Sequence, residues 1–231
     1  MSLILILIIL GTMGISLLAA ARVKSVYHRY SQVPAASGAS GAEVAAAILD
    51  RAGIHDVEIL SHDELLGDHY DPINKRLVLS TQNYHGQSLA ALGVAAHECG
   101  HAIQHKIAYA PLTWRMAAIG AVNFVNPLMG PMMMLAWIGL IPGRLFLLIS
   151  TIGMGAVMIL NLITLPVEFD ASKRAKQILA GMGFIGTDEE MHGVRKTLDA
   201  AGWTYVAAFI SSLAYLLYYL LPLLLGGRRD D

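Results

Sequence analysis

Four long apolar runs are the main constraint on what this chain can fold into. The first, residues 2–21, holds no charged side chain and is dominated by Leu and Ile. A helix rises about 1.5 Å per residue, so a run of this length covers the roughly 30 Å hydrocarbon core of a bilayer. The other runs cover residues 116–140, 145–167 and 205–225 approximately. The pattern predicts about four transmembrane helices.

The first run has a second interpretation, a cleaved signal peptide, because Ala19, Ala20 and Ala21 resemble a cleavage site. A signal peptide normally carries a basic segment ahead of its apolar part, and this run has none. We therefore expect residues 1–21 to be a retained transmembrane anchor.

The segments between the runs are polar, and they predict the remaining organisation. Residues 22–115 form a lobe of helix, small sheet and helix, and residues 116–167 form a transmembrane hairpin that turns near Arg144. Residues 168–204 form a helical segment, and residues 205–231 form a last transmembrane helix with a short tail. The expected fold class is a mainly α membrane protein with a small α+β lobe.

Composition excludes two kinds of site. The formal net charge is −1 and no basic stripe with interleaved aromatic residues occurs, so a nucleic-acid partner is not expected. Cys99 is the only cysteine, which excludes zinc sites built from several cysteines of one chain. Histidine and carboxylate side chains would have to hold any metal, and the chain has nine histidines.

The distribution of Lys and Arg predicts the orientation in the membrane. Residues 22–115 and 168–204 each carry several basic residues near their ends, whereas the hairpin tip carries Arg144 alone. Basic residues favour the cytoplasmic side. We therefore expect a multi-pass membrane protein with both polar segments in the cytoplasm and both termini outside. Arg228 and Arg229 oppose this orientation, because four spans would leave them outside.

The residues that carry chemistry are His97-Glu98-Cys99-Gly100-His101, inside a helix predicted over residues 89–108. Histidines four residues apart lie on one helix face, one turn apart, so both imidazoles can bind one metal ion. Glu98 lies beside that face, where it can take a proton from a water that zinc activates. The surrounding helix is apolar, and burying these groups without a partner would be costly.

A third ligand is needed, and the residues leave alternatives open. A metzincin would have histidine at position 107, where this chain has Ile107. His105 continues the stripe but lies two turns from His97, too far to share an ion with both motif histidines. Glu168 is the first acid after the third apolar run. It is either a ligand or a solvated acid at the membrane boundary, and the residues alone favour neither.

Two segments resemble a known family. Residues 95–104 (AAHECGHAIQ) and residues 164–172 (TLPVEFDAS) are similar to the bacterial membrane-bound neutral zinc metallopeptidases of the YugP type, and the resemblance spans nearly the whole chain. It implies a gluzincin-like HExxH peptidase with a zincin-like lobe. It also implies one Zn²⁺ per chain, bound by His97, His101 and Glu168, with Glu98 as the catalytic acid and base.

The chain departs from more distant relatives. Membrane gluzincins of the CAAX-protease and heat-shock-protease group have Asp four residues after the ligand Glu, where this chain has Ser172. Asp170 and Asp199 are therefore the candidates for a carboxylate that orients a ligand histidine. Zincins bind substrate beside an edge strand, and residues 77–79 are the candidate for that edge or else a plain structural strand.

The function we expect is a membrane-bound zinc endopeptidase that hydrolyses peptide bonds with water activated by the metal. The alternative is a non-catalytic zinc-containing membrane adaptor or regulatory scaffold, which needs the three ligands but not Glu98. The expected partners are a protein or peptide substrate and the lipid bilayer. A membrane-protein partner or a homo-oligomer stays open.

Overall fold

The computed structural model describes residues 3–63 and 67–226. The first two residues of the predicted anchor, and the opposing Arg228 and Arg229, lie outside the described residues. The elements in chain order are α1 Leu3–Tyr30, α2 Gly41–Arg51, β1 Glu58–His62, β2 His69–Asp71, β3 Arg76–Ser80, α3 Thr81–Tyr84, α4 Leu89–Lys106, α5 Ala110–Trp137, α6 Gly143–Gly181 and α7 Asp188–Gly226.

The expected fold class is confirmed. Four of the described helices, α1, α5, α6 and α7, are long and apolar enough to cross a membrane, and the described part of the chain has one small three-stranded sheet. Helices α6 and α7 extend well beyond the apolar runs that predicted them. The polar segment at residues 168–204 therefore consists of the end of α6 and the beginning of α7.

The chain forms two compact units. The first comprises Met1–Leu18, Thr113–Leu165 and Thr204–Asp231. Large apolar side chains of its described helices are exposed, as at Leu3 and Phe124. Polar side chains of this unit donate to backbone carbonyls at several positions, and the Asn161 amide donates to the Ala208 carbonyl at 3.2 Å. Such bonds meet the need for polar groups in lipid to be satisfied internally, and the buried Thr151 hydroxyl is an exception with no hydrogen-bond partner among the described residues.

The second unit comprises Ala19–Leu112 and Pro166–Trp203, and it contains the sheet. Strand β3 lies in the middle, parallel to β1 and antiparallel to β2. Of the two interpretations of residues 77–79, the substrate-binding edge is therefore wrong and the structural strand is confirmed. Both sides of β3 already pair with strands, and Leu77 and Leu79 are fully buried in the core. The edges of the sheet are β1 and β2.

Helix α4 begins at Leu89, as the sequence predicts, and both α2 and α4 follow a serine cap. Ser40 caps α2 in a capping box with Glu43, and Ser88 caps α4 by accepting from the Ala91 N–H at 3.2 Å. Each cap satisfies a backbone donor that the first helical turn leaves unbonded. The apolar face of α2 then packs against α4, which fixes the motif helix in the core of this unit.

A buried polar network joins the end of α1 to the sheet. The Tyr27 hydroxyl donates to the Asn83 side-chain oxygen at 2.7 Å, and the Asn83 amide donates to Asp68 at 2.9 Å. Asp68 also accepts from the Ser80 backbone N–H at 2.8 Å. Asn83 is fully buried, so its bonds to Tyr27 and Asp68 satisfy a side chain that has no access to water.

Candidate metal centre

Helix α4 carries two imidazoles close together on one face. Its apolar residues, among them Leu92 and Cys99, are buried in the core. His97 and His101 lie on the remaining face of the helix. The two ring centroids are 4.7 Å apart and the rings are nearly perpendicular, at 85°. The side chains are only 14% and 12% exposed. Both nitrogen-bearing edges are therefore largely shielded from solvent.

Helix α6 brings the Glu168 carboxylate to the same place. Glu168 Oε2 lies 3.3 Å from His97 Nε2 and 3.6 Å from His101 Nε2. The candidate ligand atoms all lie within 4.8 Å of one another, and no other such group of three occurs in residues 3–63 and 67–226. Tetrahedral zinc with bonds of about 2.1 Å holds its ligand atoms about 3.4 Å apart. The separations from the carboxylate match this spacing.

A glycine inside the motif allows the two helices to approach. A Cβ atom at Gly100 would lie 2.9 Å from the Ala171 carbonyl oxygen and 3.1 Å from its Cα. Those atoms are backbone and cannot rotate away, so a larger residue would force α4 and α6 apart. Our sequence reasoning missed this role. The available signal was a glycine within an otherwise regular apolar helix.

The outer nitrogens of both imidazoles are hydrogen-bonded. Ser172 Oγ lies 3.1 Å from His97 Nδ1, and Gln104 Oε1 lies 3.0 Å from His101 Nδ1. Ser172, which the sequence marked as a departure from related peptidases, thus contacts one candidate ligand. Gln104 ends the run that carries the family resemblance, and its contact with His101 was not predicted.

The two candidate orienting carboxylates differ. Asp170 accepts from Gln104 Nε2 at 2.8 Å and so connects to His101 through that amide. Asp199 instead bonds Lys176 at 3.3 Å and its side chain is 58% exposed. Asp170 is therefore linked to the cluster, and the described contact of Asp199 is with a surface lysine.

Burial and charge act in opposite directions on His101. Burial alone would lower the pKa of its imidazole. The Glu168 carboxylate, 3.6 Å from Nε2, together with the charge of Glu98 and the Gln104 contact, outweighs burial and raises that pKa. Glu98 itself is 8% exposed. A negative field is thus present at the cluster, which favours a cation there.

Two further residues near the motif lie outside the cluster. Burial, aided by the Glu98 charge, raises the pKa of the Cys99 thiol well above its usual range, so this side chain is an unreactive part of the core. His105 Nδ1 lies 2.9 Å from the Tyr70 hydroxyl, at the side of a cavity of about 480 Å³.

Comparisons with known proteins agree with these features. A family model described as "Putative neutral zinc metallopeptidase" matches residues 4–224. The "Putative membrane protease YugP" of Bacillus subtilis (strain 168) is 42% identical over 227 residues, which cover 98% of this chain and 99% of that protein. No solved structure gives a significant match. The resemblance found in the sequence is confirmed, and the chain belongs to the neutral zinc metallopeptidase family.

Proposed function

We propose that this protein is a membrane-bound zinc endopeptidase with a gluzincin-like site. One observation carries the proposal: two imidazoles of α4 and a buried carboxylate of α6, which lies 71 residues after His97 in sequence, offer ligand atoms that all lie within 4.8 Å of one another. The family to which the chain belongs and the neighbouring Glu98 support a peptidase over other zinc proteins.

The residues present fit zinc. Two imidazoles and one carboxylate form the donor set of known zinc peptidases, and three protein ligands leave a fourth position open. The carboxylate of Glu168 is 2% exposed and faces both imidazoles, and a cation bound there would offset the cost of burying its charge. His97, His101 and Glu168 would hold one zinc ion per chain, which supplies a Lewis acid that lowers the pKa of water to about 7.

The chain's own residues would perform the proton transfers. Glu98 follows His97 on α4 and is 8% exposed, and its charge helps to raise the pKa of the His101 imidazole against the effect of burial. Glu98 accepts a proton from the attacking water and delivers it to the departing amine. Ser172 and Gln104 hold the two imidazole rings in position meanwhile.

Strand β2 is the better candidate for substrate recognition now that β3 is known to be central. It is an edge strand, it is antiparallel to β3, and it packs against α4. An extended peptide could pair with its free side through backbone hydrogen bonds. Methylating the backbone nitrogens of an inhibitor peptide one at a time should then weaken binding at alternate positions. Equal binding of all the methylated peptides would exclude strand pairing.

The decisive experiment replaces Glu98 by Gln in the full-length protein in nanodiscs. We expect zinc content by elemental analysis to be unchanged and hydrolysis of a peptide library to fall about 10²–10⁴-fold, the usual contribution of a general acid–base. Glu58→Gln is the matched control, since Glu58 is an exposed acid paired with Arg76. It should keep full activity.

The same experiment distinguishes the peptidase from the alternative function. A non-catalytic zinc adaptor or scaffold shares the three ligands but has no use for Glu98. Zinc binding without hydrolysis by the parent protein would favour the adaptor. Hydrolysis at the parental rate by Glu98→Gln would rule out the mechanism proposed here.

We also propose that the second unit faces the cytoplasm of a bacterial cell, as the distribution of Lys and Arg favours. Cys99 is fully buried, so the natural chain should give little background signal in thiol labelling. A membrane-impermeant maleimide applied to spheroplasts should label Arg144→Cys and spare Gln82→Cys, both at exposed positions. Labelling of Gln82→Cys alone would reverse the orientation.

A further inference from the structure

We propose that Gln104 and Asp170 form a positioning relay that selects which nitrogen of His101 binds the metal. This inference rests on the proposed zinc site and deepens it. Neither side chain contacts the ligand position directly. Both act through the His101 ring, so they are positioning residues.

The Gln104 amide has only one possible orientation. Its side chain is fully buried, and its Nε2 lies 2.8 Å from the Val167 carbonyl oxygen and 2.8 Å from Asp170 Oδ2. A carbonyl and a carboxylate only accept hydrogen bonds. Turning the amide over would bring Oε1 against two oxygens with no proton between them, so Nε2 must face Val167 and Asp170.

This orientation fixes the proton on His101. Gln104 Oε1 is left facing His101 Nδ1 at 3.0 Å, and an amide oxygen only accepts. Nδ1 must therefore carry the hydrogen. In a neutral imidazole the other nitrogen then holds the lone pair. That nitrogen is Nε2, which lies 3.6 Å from Glu168 Oε2 in the cluster.

Asp170 is itself held in place. Its Oδ2 also accepts from Arg174 Nε at 2.6 Å, one turn further along α6. The bonds run from Arg174 through Asp170 and Gln104 to His101, and so connect α6 to α4. In most metal sites a carboxylate or carbonyl contacts the ligand histidine directly. Here an amide from the histidine's own helix covers the intervening distance.

The partner of His97 lacks this directionality. Ser172 Oγ lies 3.1 Å from His97 Nδ1, and a hydroxyl can either donate or accept. Ser172 is therefore compatible with both tautomers of His97. The two imidazoles provide an internal comparison, in which the tautomer of one ring is imposed and that of the other is not.

The test uses full-length protein in nanodiscs with ¹⁵N-labelled histidine. Solid-state NMR of the metal-free protein reports the tautomer when it is recorded at a pH high enough to keep His101 neutral, since the pKa of this imidazole is raised. The His101 signals are assigned against a His101→Asn sample. We expect His101 to carry its proton on Nδ1 in the parent and in Ser172→Ala, and to become a mixture of tautomers in Gln104→Met. Zinc affinity, measured by competition with a chromophoric chelator, should fall about 10–100-fold in Gln104→Met.

Changes at Asp170 provide the second variant. Asp170→Asn keeps an oxygen that can accept from Gln104, whereas Asp170→Ala removes it. We expect Asp170→Asn to lose less zinc affinity than Asp170→Ala. Only Asp170→Ala should shift the His101 tautomer, and it should do so less than Gln104→Met, because the Val167 carbonyl still accepts from Gln104 Nε2. A merely structural role would not move the tautomer signals of folded protein. This pair tests the relay even if Gln104→Met does not fold.

The outcomes distinguish the relay from the proposed function. Unchanged His101 tautomer and zinc affinity in Gln104→Met and Asp170→Ala would overturn the relay, while hydrolysis by the parent would still stand. Failure of the parent to bind zinc would remove both the proposed function and the metal-selecting role. The Nδ1 proton seen in metal-free protein would then describe only a hydrogen-bonded core histidine.

Discussion

The two compact units use hydrophobic side chains in opposite ways. In the first unit, Phe124 is 76% exposed and Trp137 is 87% exposed. In the second unit, Leu77, Leu92 and Leu179 are completely buried. The exposed apolar surface of the first unit suits contact with lipid, where one large apolar residue can replace another. The buried side chains of the second unit form a close-packed interior, where small changes in side-chain volume reduce stability.

The hydrogen bonds of polar side chains also differ between the units. In the first unit most described side-chain bonds stay within one helix, as from Thr164 to a carbonyl one turn back, and the bonds of Asn161 and Thr12 to α7 are the exceptions. In the second unit, Gln104 and Asn83 bond partners on other elements. A local bond survives movement of the helix as a whole, whereas a bond between elements requires one tertiary arrangement. Substitutions at buried polar groups should therefore have large effects in the second unit and small effects in the first.

The largest effect is expected at Glu168. Glu168→Gln replaces a carboxylate ligand with a neutral amide and removes the negative partner of two buried imidazoles. Since loss of an outer orienting group alone costs about 10–100-fold in metal affinity, we expect a loss above that range. Isothermal titration or chelator competition would measure it.

Asp199→Asn is the control for this change. Asp199 is 58% exposed and pairs with Lys176, and an exposed pair contributes little to stability. Zinc affinity should remain at the parental value. If both variants bound zinc as the parent does, Glu168 would be a buried acid of the core and the comparison between polar groups would lose its strongest case.

The second effect concerns the crossing of α4 and α6. Gly100→Ala places a Cβ 2.9 Å from the Ala171 carbonyl oxygen, and overpacking of this kind destabilises by about 1–3 kcal/mol. Denaturant unfolding in mixed micelles would measure the loss, and zinc affinity should fall with it because the helices carry separate ligands.

Gly93→Ala on the same helix is the matched variant. A Cβ there would meet Val194 at 3.5 Å, an ordinary contact. Replacing glycine by alanine inside a helix favours the folded state by up to about 1 kcal/mol. The two substitutions should therefore have opposite signs. Equal tolerance of both would show that α4 and α6 are not as closely packed as the Gly100 contact requires.

Features that follow from local spacing were predictable from the sequence. The four apolar runs, the caps at Ser40 and Ser88, and the common face of His97 and His101 depend on residues within a few positions of one another. Helix period and capping chemistry link such residues directly. The third ligand was different, because Glu168 became a firm candidate only through resemblance to a family.

Features that depend on distant partners were not predictable. Residues 77–79 have the composition of any short strand, and which strands flank them is decided by chain topology. Ser172 and Gln104 likewise have ordinary neighbours in sequence. Their partners at the cluster become apparent only when α4 and α6 cross. Gly100 belongs with them, since its constraint comes from the backbone of Ala171.

A smaller effect is expected in the polar network of the second unit. Tyr27→Phe removes the hydroxyl that donates to Asn83 and leaves a buried acceptor with fewer bonds. The expected loss is about 1 kcal/mol of unfolding free energy. Tyr84→Phe is the control, since the described part of the chain shows no hydrogen bond from that hydroxyl. Equal stability of the two variants would mean that the network contributes nothing.

The smallest effect is expected in the first unit, at Thr12. Its hydroxyl donates to the Ile8 carbonyl at 2.8 Å and lies 3.3 Å from the Tyr215 hydroxyl. Thr12→Val keeps the shape of the side chain, and hydrogen bonds between transmembrane helices contribute about 0.6 kcal/mol on average. Unfolding in mixed micelles should therefore shift by about that amount or less, and Ser212→Ala, which loses a bond within one helix, should shift less still. A loss at Thr12 above about 2 kcal/mol, the range of a buried polar group in a close-packed core, would show that the first unit also depends on specific polar contacts between its helices.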